Sequence, residues 1–155
     1  FMNNKGFTFL EMIFAVAITL LLVSMATTSF TNYYRSLNAG EFAEQLATNI
    51  NYAQSYASAR DIRVQATFDR DLQTYNFQLI PPDPLGNLFL PGTATREGSL
   101  PPGFTFAFDG SNPLEVTFNE LGFPLAGQDI VLRLTTGSVT RTITIDHKTG
   151  LIVIG

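Results

Sequence analysis

An uninterrupted apolar segment near the start of the chain is the strongest constraint on what it can fold into. Residues 7–26 contain neither proline nor glycine, and Glu11 is the only ionisable side chain in residues 7–30. Twenty residues of α-helix rise by about 30 Å, which matches the hydrocarbon core of a bilayer. The segment therefore predicts a helix over residues 7–30 that can span a membrane.

Basic residues on the two sides of this segment predict its orientation. Lys5 lies directly before it, whereas the first basic residue after it is Arg35. Basic residues close to a membrane span are retained on the cytoplasmic side. We therefore expect a single-pass protein with a cytoplasmic N-terminus and with the remainder of the chain on the other side of the membrane.

A cleavable signal peptide is the alternative interpretation of the same segment. Ser24, Met25 and Ala26 fit the small-x-small pattern before a cleavage site, which would leave a secreted β domain beginning after Ala26. Glu11 opposes this interpretation, because an acidic residue early in an apolar run hinders insertion. A carboxylate at this depth either reaches back to the membrane interface or has a function and a partner.

The composition excludes several classes of protein. The 155 residues include no cysteine and a single histidine, His147, so neither a disulfide scaffold nor a thiolate or imidazole metal cluster is possible. A net charge of −4 opposes a broad nucleic-acid-binding surface. The acidic residues of the second half are scattered singly, mostly beside turns. We therefore predict a protein that is not an enzyme and that needs no cofactor or metal.

Two groups of residues in the second half of the chain could form a site. Asp69, Asp71 and Asp83 could contribute to a calcium site, but no oxygen-rich loop with EF-hand spacing surrounds them. His147 beside Asp146 could belong to a catalytic site, but no nucleophile of matching context accompanies it. Solvated loop carboxylates and a surface turn histidine are the better predictions.

The apolar pattern changes after residue 30 and predicts that the helix continues. A spacing of three or four residues indicates an amphipathic helix over residues 31–60, with Gly40 as its weakest point. Tyr33 and Tyr34 suit an aromatic belt just outside a membrane, and Tyr52 and Tyr56 suit packing on the following domain. The apolar positions of the pattern are Phe30, Tyr34, Leu37, Phe42, Leu46, Ile50, Ala53 and Ala57.

The period becomes two from residue 61 onward and predicts an antiparallel β domain over residues 61–155. A proline-rich stretch, residues 81–103, is predicted to be a loop with little regular structure and a surface for partners. The fold class is therefore α+β, with one long helix packed on two small sheets. Seven strands are predicted, within residues 62–68, 75–79, 104–108, 114–118, 130–135, 139–145 and 151–154.

The sequence Lys-Gly-Phe-Thr-Phe-Leu-Glu at residues 5–11 resembles the processing site of type IV prepilins and type II secretion pseudopilins. The resemblance implies that residues 1–6 are a leader, that prepilin peptidase cuts between Gly6 and Phe7, and that Phe7 is N-methylated. It also implies that Glu11 is the assembly glutamate, which faces the N-terminal ammonium of an adjacent subunit. The family commonly has a proline later in this helix, whereas the first proline here is Pro81.

Residues 50–60 and 118–124 resemble the GspH/FimT branch of minor pseudopilins, and the absence of a C-terminal cysteine pair favours a minor subunit. The resemblance implies a pilin-like fold and a structural subunit of a type II secretion pseudopilus or a type IV pilus. The implied partners are other pilin subunits, prepilin peptidase and an assembly platform in the bacterial inner membrane. The implied location of the head is periplasmic or extracytoplasmic until the subunit enters the filament.

DNA binding is a further alternative that this resemblance brings. Some FimT-like minor pilins are implicated in DNA uptake through arginines near their C-terminal strands. Arg133, Arg141 and Lys148 fall in that region, offset by Asp129 and Asp146. Phosphate contacts dominate such affinity, so three dispersed cations on a net-negative chain predict weak binding at most.

Overall fold

One long helix and nine strands make up the computed structural model, which describes residues 8–83, 86–87 and 97–155. The helix, α1, runs over Phe9–Arg60. The strands are β1 (Arg63–Asp69), β2 (Thr74–Asp83), β3 (Gly86–Asn87), β4 (Glu97–Ser99), β5 (Phe104–Ala107), β6 (Leu114–Phe118), β7 (Ile130–Thr136), β8 (Val139–Ile145) and β9 (Ile152–Ile154).

Both ends of α1 are closed by local interactions. Thr8 is the N-cap, and Asp61 adopts the left-handed conformation at the C-cap, where its N–H donates to the Ala57 carbonyl. Between these caps the helix continues through Gly40, the predicted weak point, and across the predicted boundary between residues 30 and 31. The two predicted helical segments are therefore one element.

The two halves of α1 differ in what covers them. All side chains from Thr8 to Met25 are exposed, and the most apolar window of this half is not buried by the head. Beyond residue 38 one face of the helix is buried beneath the sheets, at the three-to-four spacing of an amphipathic helix. The buried apolar residues on this face are Ala39, Phe42, Ala43, Leu46, Ala47, Ile50, Ala53 and Ala57.

The helix predicted from the apolar spacing is present, but the first three positions of the pattern do not contact the sheets. Phe30, Tyr34 and Leu37 are all exposed. Successive helical residues are about 100° apart, so these three lie on the face of α1 opposite Ala39. The three-to-four spacing therefore occurs on two different faces of the helix, and only the face that contains Ala39 contacts the sheets. Of the later tyrosine pair, Tyr56 packs against the core as predicted, whereas Tyr52 lies at the surface.

The first sheet has five strands in the order β3-β2-β1-β6, with β4 also paired to β2. Its register places Phe68 opposite Tyr75, and Ala66 opposite Phe77. These side chains are buried together with Val64, which confirms the alternating pattern predicted for β1 and β2.

The second sheet is antiparallel with the order β5-β7-β8-β9. Strand β7 alternates strictly between buried and half-buried residues. Leu132 is paired with Ile143, and Ile130 with Ile145. All four side chains are buried, so the second sheet contributes the same kind of apolar face as the first. The predicted α+β architecture of one helix on two antiparallel sheets is confirmed.

The prediction of a loop over residues 81–103 is wrong in part. Strand β2 extends into it as far as Asp83, and β3 and β4 lie within it. Strand β4 pairs with β2 through Gly98, whose Cα lies so close to the Tyr75 ring that a Cβ would be 2.2 Å from the ring Cζ. Pairing of this kind uses backbone groups and needs no alternating side chains. Residues 84–85 and 88–96 lie outside the described residues.

Aromatic rings join the two sheets at the centre of the head. Phe68 of β1 contacts Tyr75, Phe77 and, at 6.0 Å between ring centroids, Phe106 of the second sheet. The Tyr75 hydroxyl accepts a hydrogen bond of 3.1 Å from Asn49 Nδ2 of α1. The helix and both sheets therefore share one core.

We expect Phe68→Ala to destabilise the head by about 3–5 kcal/mol, because it leaves a cavity among rings from both sheets. Unfolding by urea, followed by circular dichroism of the full chain in detergent, measures the change. Leu72→Ala, at a side chain that is 71% exposed, is the matched control and should be almost neutral. Equal stability of the two variants would contradict a shared core.

Candidate functional site

The predicted assembly glutamate lies in the first turn of α1 and binds the residue that caps the helix. The Thr8 N–H and hydroxyl both donate to Glu11 Oε2, at 2.8 and 2.9 Å. The Glu11 N–H donates in return to Thr8 Oγ1 at 3.3 Å. This reciprocal arrangement is a capping box.

The capping box places negative charge at the end of the helix where backbone N–H groups are unpaired, which the helix dipole favours. It also fixes the Glu11 carboxylate beside the Thr8 nitrogen, one residue from the predicted cleavage point. Gly6 and Phe7, the predicted processing residues, lie outside the described residues. Thr8 was not among the predicted site residues, although the pattern Thr-x-x-Glu at a helix start is a recognisable signal.

The apolar half of α1 is an unusually large uncovered surface. Within the described residues this is the one helix long and apolar enough to cross a membrane, with a mean hydropathy of 2.4 over its most apolar 18-residue window. The side chains in that window are not buried by any part of the head. Apolar surface of this extent needs lipid or other helices to cover it.

The three cations predicted as possible DNA contacts do not come together. Arg133 lies opposite Thr142 on the outer face of the second sheet, where it pairs with Asp109 at 3.3 Å. Arg141 lies opposite Leu134 on the inner face, and Lys148 lies in the turn after β8. The DNA-binding alternative therefore stays a prediction without a shared surface in this arrangement.

The turn after β8 is held by two carboxylates. His147 Nδ1 and Asp129 Oδ1 are 2.7 Å apart, and the His147 N–H donates to the same oxygen. The hydrogen bonds from His147 lower the pKa of Asp129. Hydrogen bonds from the Thr149 hydroxyl and N–H likewise lower the pKa of Asp146. These interactions give His147 and Asp146 a local structural role in the turn.

Asp69, from the calcium alternative, also stabilises a turn. Its Oδ1 accepts from the N–H groups of Asp71 and Leu72, and the Leu72 hydrogen bond is the main cause of its lowered pKa. Over residues 8–83, 86–87 and 97–155 no three His, Cys, Asp or Glu side chains are grouped so that they could hold a metal ion. The side chain of Asp83 lies outside the described part of the chain.

Comparison with known proteins supports the assignment of the N-terminus and of the fold. Residues 1–27 match the prokaryotic N-terminal methylation motif. No curated protein sequence matches the chain. The structure resembles the minor pseudopilin EpsH from the type 2 secretion system of Vibrio cholerae with a TM-score of 0.61 and 13% identity, over 76% of this chain and 95% of EpsH.

The structure also resembles the type IV minor pilin FimU of Pseudomonas aeruginosa. The TM-score is 0.56 at 16% identity, over 81% of this chain and 92% of FimU. At these identities the likeness establishes the fold. The chain therefore has a pilin-like fold that begins at a methylation motif, as the residues at 5–11 predicted.

The lowered pKa of Asp146 predicts how the stability of the head depends on pH. A carboxylate with a lowered pKa in the folded protein stabilises it above the unfolded pKa, near 3.8, and this stabilisation is lost as pH falls through the folded value. We expect Asp146→Asn to be less stable than the parent at pH 6 and to lose less stability below pH 4. Urea unfolding at a series of pH values measures this, with Asp71→Asn as control. Parallel pH profiles for Asp146→Asn and the parent would contradict it.

Proposed function

We propose that this chain is a minor pilin or pseudopilin, a structural subunit of a type II secretion pseudopilus or a type IV pilus. The observation that carries the proposal is the division of α1. Its first half begins at a methylation motif and is uncovered and apolar, while its second half is built into a β head. A subunit of this shape can move between a bilayer and a bundle of like helices. Its role is mechanical rather than catalytic.

The proposed precursor is held in the bacterial inner membrane by the apolar half of α1. The N-terminus is cytoplasmic, and the head lies on the other side. In the filament the same surface packs on helices of other pilin subunits, so lipid contacts are exchanged for helix contacts. The free-energy difference between such contacts is small, and an assembly platform with its motor supplies the direction.

Processing is proposed between Gly6 and Phe7, by prepilin peptidase, with N-methylation of Phe7. The match of residues 1–27 to the methylation motif supports this. Cleavage here removes the residues up to Gly6 and keeps the whole apolar helix, which the filament needs. Cleavage after Ala26 would discard the helix instead.

Glu11 is proposed to set the axial register between subunits. A carboxylate in an apolar bundle is stable only when an opposite charge or several donors face it. In the single chain Thr8 supplies two donors, at 2.8 and 2.9 Å. In the filament we propose that the N-terminal ammonium of an adjacent subunit becomes the partner of this carboxylate.

The proposed processing site predicts the mature N-terminus. Intact-mass and N-terminal peptide analysis of protein from a host with a pilus or secretion system should give a chain that begins with N-methylated Phe7. Gly6→Leu should leave the precursor uncleaved, because the peptidase reads the glycine before the cut. Gly40→Ala, in the same helix, should be processed normally. A mature chain that begins after Ala26 would contradict the proposal.

A substitution at Glu11 can separate the charge of this side chain from its capping role. Glutamine can still accept from Thr8 in a capping box but carries no charge. We expect Glu11→Gln to be inserted and processed normally. In sheared filaments it should be found at one-tenth of the parent level or less, because the neutral amide forms no ion pair with the ammonium of the adjacent subunit. Glu41→Gln, an exposed position of the same helix, is the control. Parent levels of Glu11→Gln in filaments would rule out a register role for the charge.

A further inference from the structure

The hairpin of β7 and β8 meets α1 at two arginines, one from each element. A Cβ on Gly137, in the turn of this hairpin, would lie 2.9 Å from Arg35 Nη1, so the Arg35 guanidinium rests against the turn. Arg141 of β8 reaches the helix one residue further along, where its Nη2 donates to Ser36 Oγ at 3.4 Å. Both guanidinium groups therefore lie at the junction of the hairpin and the helix.

Neither arginine has an acidic partner within the described residues. The remaining arginines of this part of the chain do have partners: Arg63 pairs with Glu120, Arg133 with Asp109, and Arg60 and Arg70 lie over the rings of Tyr56 and Phe108. At Arg141, moreover, Nε is buried and has no acceptor. A buried N–H without an acceptor is unfavourable, so the described residues leave the Arg141 guanidinium incompletely hydrogen-bonded as well as without a counter-charge.

Acidic residues of α1 do not neutralise this junction. Glu41 and Glu44 are the nearest acidic residues along the helix, and both are exposed. At about 100° per residue, Glu41 lies about 120° around the helix from Arg35 and Glu44 lies opposite it. The junction is therefore locally positive although the chain as a whole carries a net charge of −4.

The junction also lies close to the apolar segment along the helix. Arg35 follows residue 26 by nine residues, which is about 13 Å of helix. Helix side chains lean toward the N-terminus, which brings the guanidinium back toward a headgroup layer about 5–8 Å deep. Tyr33 and Tyr34, both exposed, lie on the same stretch, as residues of a membrane interface do.

We propose that Arg35 and Arg141 bind phosphate groups of phospholipids at the membrane surface from which α1 emerges. This contact holds the β7–β8 end of the head against the bilayer before the subunit leaves it. Guanidinium groups suit phosphate because their donors form a planar fork. The proposal rests on the proposed function, because it requires the apolar half of α1 to be in a bilayer.

Lipid is favoured over nucleic acid by where the cations lie. A nucleic acid backbone needs a track of accessible positive charge. Arg133 lies on the other face of the second sheet and is paired, and Lys148 lies at the opposite end of β8 from the β7–β8 turn. A membrane surface needs only the guanidinium groups of Arg35 and Arg141, which lie at the β7–β8 end of the head.

A single fluorophore at the hairpin turn can report this contact in the full chain. The sequence has no cysteine, so Ser138→Cys provides the only thiol, at an exposed position next to Gly137. The labelled protein is reconstituted in vesicles of phosphatidylcholine, alone or mixed with phosphatidylglycerol, that carry a quencher on the lipid headgroup. Quenching then measures the ratio of docked to undocked heads.

We expect stronger quenching in the vesicles that contain phosphatidylglycerol. Arg35→Gln and Arg141→Gln should each lower the ratio of docked to undocked heads by about fivefold in these vesicles, the effect of one basic residue near an anionic surface. Arg35→Lys should retain most of the docking, and Arg60→Gln, at the far end of α1, should change nothing. The proposal would be overturned if the extent of quenching were the same with and without phosphatidylglycerol and the same in the parent and the two glutamine variants.

Two competitors distinguish the sources of phosphate. Docking that persists with inorganic phosphate present at the concentration of lipid phosphate supports the membrane, whereas release of the head would assign the site to free phosphate. Docking that persists with a short DNA duplex present also supports the membrane. If the duplex releases the head of the parent protein but has no such effect in Arg35→Gln and Arg141→Gln, the two arginines would be assigned to nucleic acid instead.

Flotation of the proteoliposomes after an alkaline wash separates this proposal from the proposed function. Failure to float would overturn the membrane span itself. Normal flotation with unchanged quenching in both glutamine variants would overturn the lipid contact alone. Circular dichroism of the variants in detergent, with Arg141→Lys for comparison, confirms that a lost signal reflects lost charge in a folded head.

Discussion

The packing of one face of α1 on both sheets is the contact on which the rest of the structure depends. Leu46 and Ile50 are completely buried there, and five alanines on the same face let β strands approach the helix closely. Because this face belongs to the same continuous helix as the apolar segment, the head is oriented by its own core. In the proposed membrane orientation, the end of the head that faces the bilayer is therefore determined by side chains of the core.

Sequence patterns predicted those parts of the fold in which one face is buried and the period is regular. Val64, Ala66 and Phe68 alternate because β1 covers the core with alternate residues. Strand β4 escaped prediction because Gly98 joins the sheet through its backbone beneath a tyrosine ring. Phe30 and Leu37 show the limit of spacing alone, which finds a stripe but not the face that the head covers.

The functional residues likewise differ in whether a local sequence pattern could identify them. Glu11 could be found from a local motif, because capping and processing both depend on residues close in sequence. The junction of Arg35 with Arg141 could not, since it arises where the β7–β8 hairpin meets the helix and its two members are far apart in the chain. Only the fold brings these charges together, and only the position of the apolar segment indicates what they face.

The capping box and the junction are joined by a helix without a break. From Glu11 to Arg35 the helix rises by about 36 Å, without proline and without glycine. An α-helix of this length resists axial compression, so the distance between its two ends stays nearly constant. Whatever fixes the height of the Glu11 carboxylate in a bundle also fixes the height of the β7–β8 turn. In the proposed filament, an ion pair at Glu11 would therefore also determine the axial position of the β7–β8 turn.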